Sequence, residues 1–179
     1  MRNMHVFSKG SLRLSQRVVV FLFFLVAVSL IGERIVAAED NGMCIPVHAK
    51  IQSTFFAEGC NSPVGLCTTG EITEGGLLNG STSFVALGLS PAAGMPGVEP
   101  DTTLSYSGLL KITTRLGVLT IKDVGVFDTA RGVFSELERI TEGTERFFGA
   151  SGTLFIYGTA FADGTGFGGS IKGEVCLAH

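Results

Sequence analysis

The sequence predicts an all-β fold: a single eight-stranded antiparallel β-barrel after an N-terminal signal peptide. Three observations predict it. Residues 144–176 form a hairpin pattern of alternating side chains around a glycine turn, turn signals recur about every dozen residues, and no helical apolar period persists beyond about two turns.

The hairpin organises the rest of the chain. Thr153, Phe155, Tyr157, Thr159 and Phe161 share one parity, and Leu154, Ile156, Gly158, Ala160 and Ala162 share the other. Successive strand side chains point to opposite faces, so bulky residues line one side and small or aliphatic residues the other. Asp163-Gly164 suits the positive φ angles of a tight turn. Phe167, Ile171, Val175 and Leu177 then carry the apolar parity back, interleaved with Ser170, Lys172, Glu174 and Cys176. An apolar and a polar face in a terminal hairpin suit a closed or nearly closed sheet.

At the other end of the chain, Arg2, Lys9, Arg13 and Arg17 precede the apolar run 18–31, VVVFLFFLVAVSLI. The run is short for a bilayer span, which needs about 20 residues. Val36-Ala37-Ala38 provides small residues for cleavage before Glu39. The expectation is a signal peptide over 1–38, a β-barrel domain over 39–179 and no permanent membrane anchor. An uncleaved anchor edged by Glu33 and Arg34 is the alternative. The remaining 141 residues suffice for one domain with a real core. They carry 8 basic and 15 acidic residues, a net charge of −7. That balance argues against a nucleic-acid partner, which calls for a basic surface.

Cys44, Cys60, Cys67 and Cys176 all follow the signal, and an even count in a secreted or periplasmic chain argues for disulfides. Cys60 and Cys67 bracket NSPVGL, a short loop that is cheap to close. This leaves Cys44 for Cys176, whose strands barrel closure would bring together. Zinc is the rival use, but CxxC spacing is absent and His48 is the only mid-domain histidine. No metal and no cofactor is expected.

Strands are expected near 45–56, 66–73, 81–89, 102–114, 117–129, 132–142, 152–162 and 167–178. The first alternates Ile45, Val47, Ala49 and Ile51 with Pro46, His48, Lys50 and Gln52. Gly75-Gly76 and Asn79-Gly80 mark turns, and Asn79-Gly80-Ser81 is also a glycosylation sequon in a eukaryotic host. The stretch 90–100, SPAAGMPGVEP, is expected to be a surface loop. Eight strands suffice to close a small barrel and remove its exposed edges.

The segment 143–152, GTERFFGASG, resembles the glycine–aromatic–glycine lead-in to a late barrel strand in the allene oxide cyclase and dirigent superfamily. The strand run 112–128, ITTRLGVLTIKDVGVFD, and the closing strand add to the likeness. It covers about half of the chain beyond the signal, in motifs that specify turns. Ser151 stands where those families often carry arginine, and their catalytic acids do not align here. The resemblance implies the eight-stranded barrel, a homotrimer, and a cofactor-free cyclase or coupling-directing activity. It is also similar to small secreted bacterial barrels of this kind.

Motifs of enzymes are scarce. The run 164–169, GTGFGG, matches GxGxxG, but strand rather than helix follows it. No P-loop, HExxH or GxSxG occurs, and no histidine is placed to activate Ser151. The candidate catalytic pair is Asp123 and Arg139. Asp123 shares parity with Leu119, Ile121, Gly125 and Phe127, and Arg139 with Val133, Ser135 and Leu137. If both point inward they form the polar end of a pocket, suited to acid–base work. An ion pair at the barrel mouth, or parity broken by a bulge at Gly125, is the plainer reading. Glu136, Glu138 and Glu142, on the parity of Phe134 and Ile140, read as a solvated face, with a reactive carboxylate pair as the alternative. Tyr106, Phe127 and Tyr157 are the candidate ligand contacts, with core packing as their default role. The functional expectation is a secreted barrel that binds a small apolar molecule or serves a structural role. A cofactor-free isomerase or cyclase, or a dirigent-type protein, is the alternative.

Overall fold

The structure is a computed structural model, which describes residues 42–92 and 102–178. Eight strands form one closed antiparallel barrel in sequential order: β1 Met43–Phe56, β2 Cys67–Thr73, β3 Gly80–Pro91, β4 Thr103–Thr114, β5 Gly117–Asp128, β6 Val133–Gly143, β7 Ser151–Ala160 and β8 Gly166–Leu177. Each strand lies within a few residues of its expected position. The exception in kind is Ser90-Pro91, expected in a loop but carried by β3, where Ser90 pairs with Ser105. The proposed signal segment 1–38 lies outside the described residues, as do residues 93–101 of the β3–β4 connection. No helix among the described residues is long and apolar enough to cross a membrane.

The terminal hairpin forms as the glycine turn dictates. Gly164 takes φ 71°, and the Asp163 carboxylate accepts the Thr165 backbone N–H at 3.0 Å and its hydroxyl at 2.7 Å. β8 then pairs with β1 over most of its length, from Met43–Leu177 to Thr54–Gly166, which closes the barrel. Cys44 and Cys176 face each other across this seam and are disulfide-bonded. The second bridge, Cys60–Cys67, pins the β1–β2 loop to the start of β2. Both pairings agree with the sequence expectation, and both are consistent with an oxidising compartment.

The barrel interior has two unlike halves. Toward the β2–β3, β4–β5 and β6–β7 connections it is solid apolar packing: Leu78, Ile112, Leu119, Ile121, Phe147 and Leu154 are almost wholly buried. Phe147 lies in a short 3-10 turn after β6 and reaches this core from the end of the barrel. Toward the opposite end the packing opens into a pocket. The GxGxxG run serves that half: a side chain at Gly169 would crowd the Phe134 ring, 3.3 Å from its Cζ.

Candidate functional site

Two ranks of inward-facing residues build the floor of the pocket. One runs Gly108, Asp123, Glu138 across β4, β5 and β6, and the next runs Tyr106, Gly125, Glu136. Gly125 gives the second rank its shape. A Cβ there would stand only 2.5 Å from the Tyr106 Cζ, so the bare backbone lets the tyrosine ring lie across β5. Its hydroxyl thereby reaches β6 and donates to Glu136 Oε1 at 2.5 Å.

Asp123 and Glu138 are 2% and 1% exposed. Neither Asp123 oxygen has a hydrogen-bond partner among the described residues, nor does Glu138 Oε2. One oxygen from each of Asp123, Glu136 and Glu138 lies within 4.8 Å of the others. Burial penalises the charged forms and so raises all three carboxyls. Asp123 is lifted to about 8 by burial and then by the Glu136 charge. Glu136 is lifted to about 7 by burial, with the Tyr106 hydrogen bond pulling the other way. Glu138 is raised well above the usual carboxylate range by burial, Asp123 and Glu136. The Tyr106 hydroxyl is raised by its own burial and then by Glu136, so it stays a donor.

Beside this floor the walls are mostly apolar, with the Ser53 and Thr68 hydroxyls as exceptions. A cavity of about 340 Å³ is lined by Phe55, Phe84, Phe127, Phe134 and Phe167, with aliphatic residues of β1, β3, β4 and β7 and the β1–β2 loop between them. The rings brace one another: Phe134 meets Phe167 edge-on with centroids 4.8 Å apart, and Phe84 meets Tyr106 edge-on at 6.4 Å. Because those large rings come from β6 and β8, the intervening β7 contributes Ile156, Gly158 and Ala160 inward.

Asp123, Tyr106 and Phe127 all face this pocket, as their parity suggested. Arg139 does not. It is exposed on the outer face, where its register partner is Lys122, whereas Asp123 faces Glu138. The inward parity of β6 is Phe134, Glu136, Glu138 and Ile140, because the barrel gains more by burying Phe134 and Ile140 than Val133 and Leu137. Carboxyls held protonated by burial can accompany them, which avoids the far larger cost of burying the charged forms. The register shift falls between Thr120 and Ile121 rather than at Gly125, and beyond it Glu142 points outward, exposed. Tyr157 also lies outside, 43% exposed, with the Lys172 ammonium 5.5 Å above its ring. Its hydroxyl therefore does not line the pocket. The outward parity of β5–β7 instead forms an apolar stripe, with Val124, Leu137 and Phe155 in one rank.

Sequence reasoning placed Glu136 and Glu138 on a solvated face. The signal that could have found them was their shared parity with Phe134 and Ile140, together with Gly125 in register between Tyr106 and Glu136. Compared with known proteins, the chain matches no family model, no curated protein and no solved structure.

Proposed function

We propose that this protein is a secreted β-barrel that binds a small, largely apolar organic molecule in the open half of its interior. The observation that carries this reading is the phenylalanine-lined cavity of about 340 Å³, with a cluster of three carboxyls and Tyr106 among its lining. Preformed concave sites of this size and lining are those that small ligands use. The two disulfides support an extracellular or periplasmic setting. The apolar stripe on β5–β7 supports association between copies, which sedimentation velocity reads directly. The test of binding is titration of the purified protein with the neutral fluorescent reporter N-phenylnaphthylamine. Saturable binding is expected, and Ala160→Trp, which puts an indole into the cavity, weakens it at least tenfold. No saturable binding, or binding that ignores Ala160→Trp in a folded variant, overturns the reading.

A second reading is a cofactor-free isomerase or cyclase, the activity that the likeness to allene oxide cyclase and dirigent barrels implies. What favours it is a set of carboxyls poised near neutrality in an apolar pocket. One protonated and one ionised member could give and take a proton while the walls hold a reactive substrate in one geometry. A pH–rate profile whose arms disappear in Glu136→Gln supports that reading; turnover indifferent to this substitution excludes the cluster from catalysis.

A further inference from the structure

We infer that the ligand carries a basic nitrogen, protonated in solution, which docks on Asp123, Glu136 and Glu138 while its apolar body lies among the phenylalanines. This rests on the reading of the barrel as a binding protein and names the chemical class that it binds.

Donors and acceptors at the pocket floor do not balance. Tyr106 spends its proton on Glu136, while Asp123 Oδ1 and Oδ2 and Glu138 Oε2 are buried without a partner. Buried polar oxygens left unpaired are costly, about 1–3 kcal/mol each whether or not they carry a proton, so a missing partner, which a cationic donor supplies once these acids ionise, is the economical explanation. The chain does not supply it from its strands: Lys50, Lys111, Lys122, Arg139 and Lys172 all have exposed side chains. A primary ammonium has three N–H donors and no acceptor. That matches three carboxyl oxygens within 4.8 Å of one another.

The same cluster invites comparison with a divalent-ion site. Calcium takes six to eight oxygens and magnesium or manganese six, whereas the cavity beside these carboxyls is lined mostly by phenylalanine, leucine and isoleucine, with Ser53, Thr68 and Tyr106 as its hydroxyl side chains. Those walls suit the body of an organic cation better than the water shell of a metal.

Docking a cation reverses the electrostatics of the floor. Among the described residues the titratable groups facing the site are Tyr106 from β4, Asp123 from β5 and Glu136 and Glu138 from β6; β1, β2, β3, β7 and β8 contribute Ile51, Ser53, Thr68, Phe84, Ile156 and Phe167. Acids held protonated by burial and mutual repulsion ionise when an ammonium arrives, so binding releases protons. Affinity therefore rises from pH 5 to pH 8, while the amine itself keeps its charge.

Calorimetric titrations of the purified protein with phenylbutylamine, phenylbutanol and phenylbutanoate test this, since the three share an apolar body and differ in the head. At pH 8 the amine is expected to bind at least tenfold more tightly than the alcohol, and the anion least. The amine's heat should vary with buffer ionisation enthalpy in the sense of proton release. The double variant Asp123→Asn, Glu138→Gln should remove the amine's advantage over the alcohol. Equal binding of amine and alcohol by the wild-type protein overturns the inference and leaves the apolar-ligand reading intact. Binding of neither, together with failure of the neutral reporter, overturns both. Manganese or calcium chloride alone binding at micromolar concentration, with no advantage for the amine, overturns the inference in favour of a metal centre. If the double variant does not fold, the wild-type comparison of heads and the proton release still decide.

Discussion

Replacing Asp123 by asparagine should make the barrel more stable at pH 8 while changing it little at pH 4. The carboxyl is raised from 3.8 to about 8 in the folded protein, by burial first and the Glu136 charge second. In the unfolded chain it ionises near its ordinary value. Below about pH 4 both states carry the proton and the group contributes no difference. Between there and about pH 8 the folded state binds more protons than the unfolded one, so stability falls as pH rises. Above the folded value the loss levels off. At about 1.4 kcal/mol per tenfold change in proton affinity, the interval corresponds to about 6 kcal/mol. Since Asp123, Glu136 and Glu138 repel one another, part of that loss belongs to the cluster, and an asparagine adds an amide donor that also needs a partner. About 3 kcal/mol is therefore the expected gain at pH 8, or about 10 °C in thermal midpoint for a domain of this size. Urea denaturation of both proteins at half-unit pH steps measures it. Asp128 and Asp163, lowered by hydrogen bonds from Arg131 and Thr165, act in the opposite sense at low pH. They are present in both proteins and cancel in the difference. A wild-type stability that rises from pH 5 to pH 8, or a variant with an undiminished slope, would refute the assignment of Asp123 as a buried, protonated acid.

Two further outcomes follow from the geometry. Gly125→Ala places a methyl group 2.5 Å from Tyr106 Cζ, displacing the ring and its bond to Glu136; a loss of about 2–4 kcal/mol in chemical denaturation is expected. A Tyr106→Phe background should shrink that loss, since the hydrogen bond is then already absent. Removing Cys44–Cys176, which spans 132 residues, should cost about 5 kcal/mol, against about 2 kcal/mol for Cys60–Cys67, which spans 7. Denaturation of the two double-serine variants checks the order, and a larger loss from the short loop would contradict it.

The barrel was legible in the sequence because its signals are local. Strand alternation, turn glycines and paired cysteines each depend on a few neighbouring residues, and barrel closure then follows from β1 and β8 meeting at Cys44 and Cys176. Asp123 was legible for the same reason, since its strand keeps one parity from Leu119 to Phe127. Arg139 and Tyr157 were misplaced because both strands have two faces of similar apolar content. Val133 and Leu137 compete with Phe134 and Ile140 on β6, and Phe155 and Tyr157 compete with Leu154 and Ile156 on β7. Only three-dimensional volume decides between such faces. The Phe134–Phe167 pair fills the interior, forcing the small β7 residues in and the aromatic ones out. Glu136 and Glu138 were hidden by the rule that glutamates face water, a rule that fails where carboxyls are held protonated.

That failure bears on what the cluster is for. A barrel needs nothing at the level of Asp123 and Glu138 that leucine or methionine would not fill, and well-packed apolar replacements of buried charged groups are often neutral or stabilising. The neighbouring rank shows how much of the architecture is bent toward these acids. Gly125 gives up a side chain so that Tyr106 can cross β5, and Tyr106 then satisfies one Glu136 oxygen while Asp123 is left with none. A purely structural network would close such accounts internally, because a half-satisfied polar group in a core is worse than an apolar one. Destabilising polar groups persist where function requires them. Among the described residues they sit where packing stops and the phenylalanine-lined cavity begins. On the proposed binding of a protonated amine, the stability forfeited at the floor would be recovered through the linkage by which anything that binds only the folded state stabilises it.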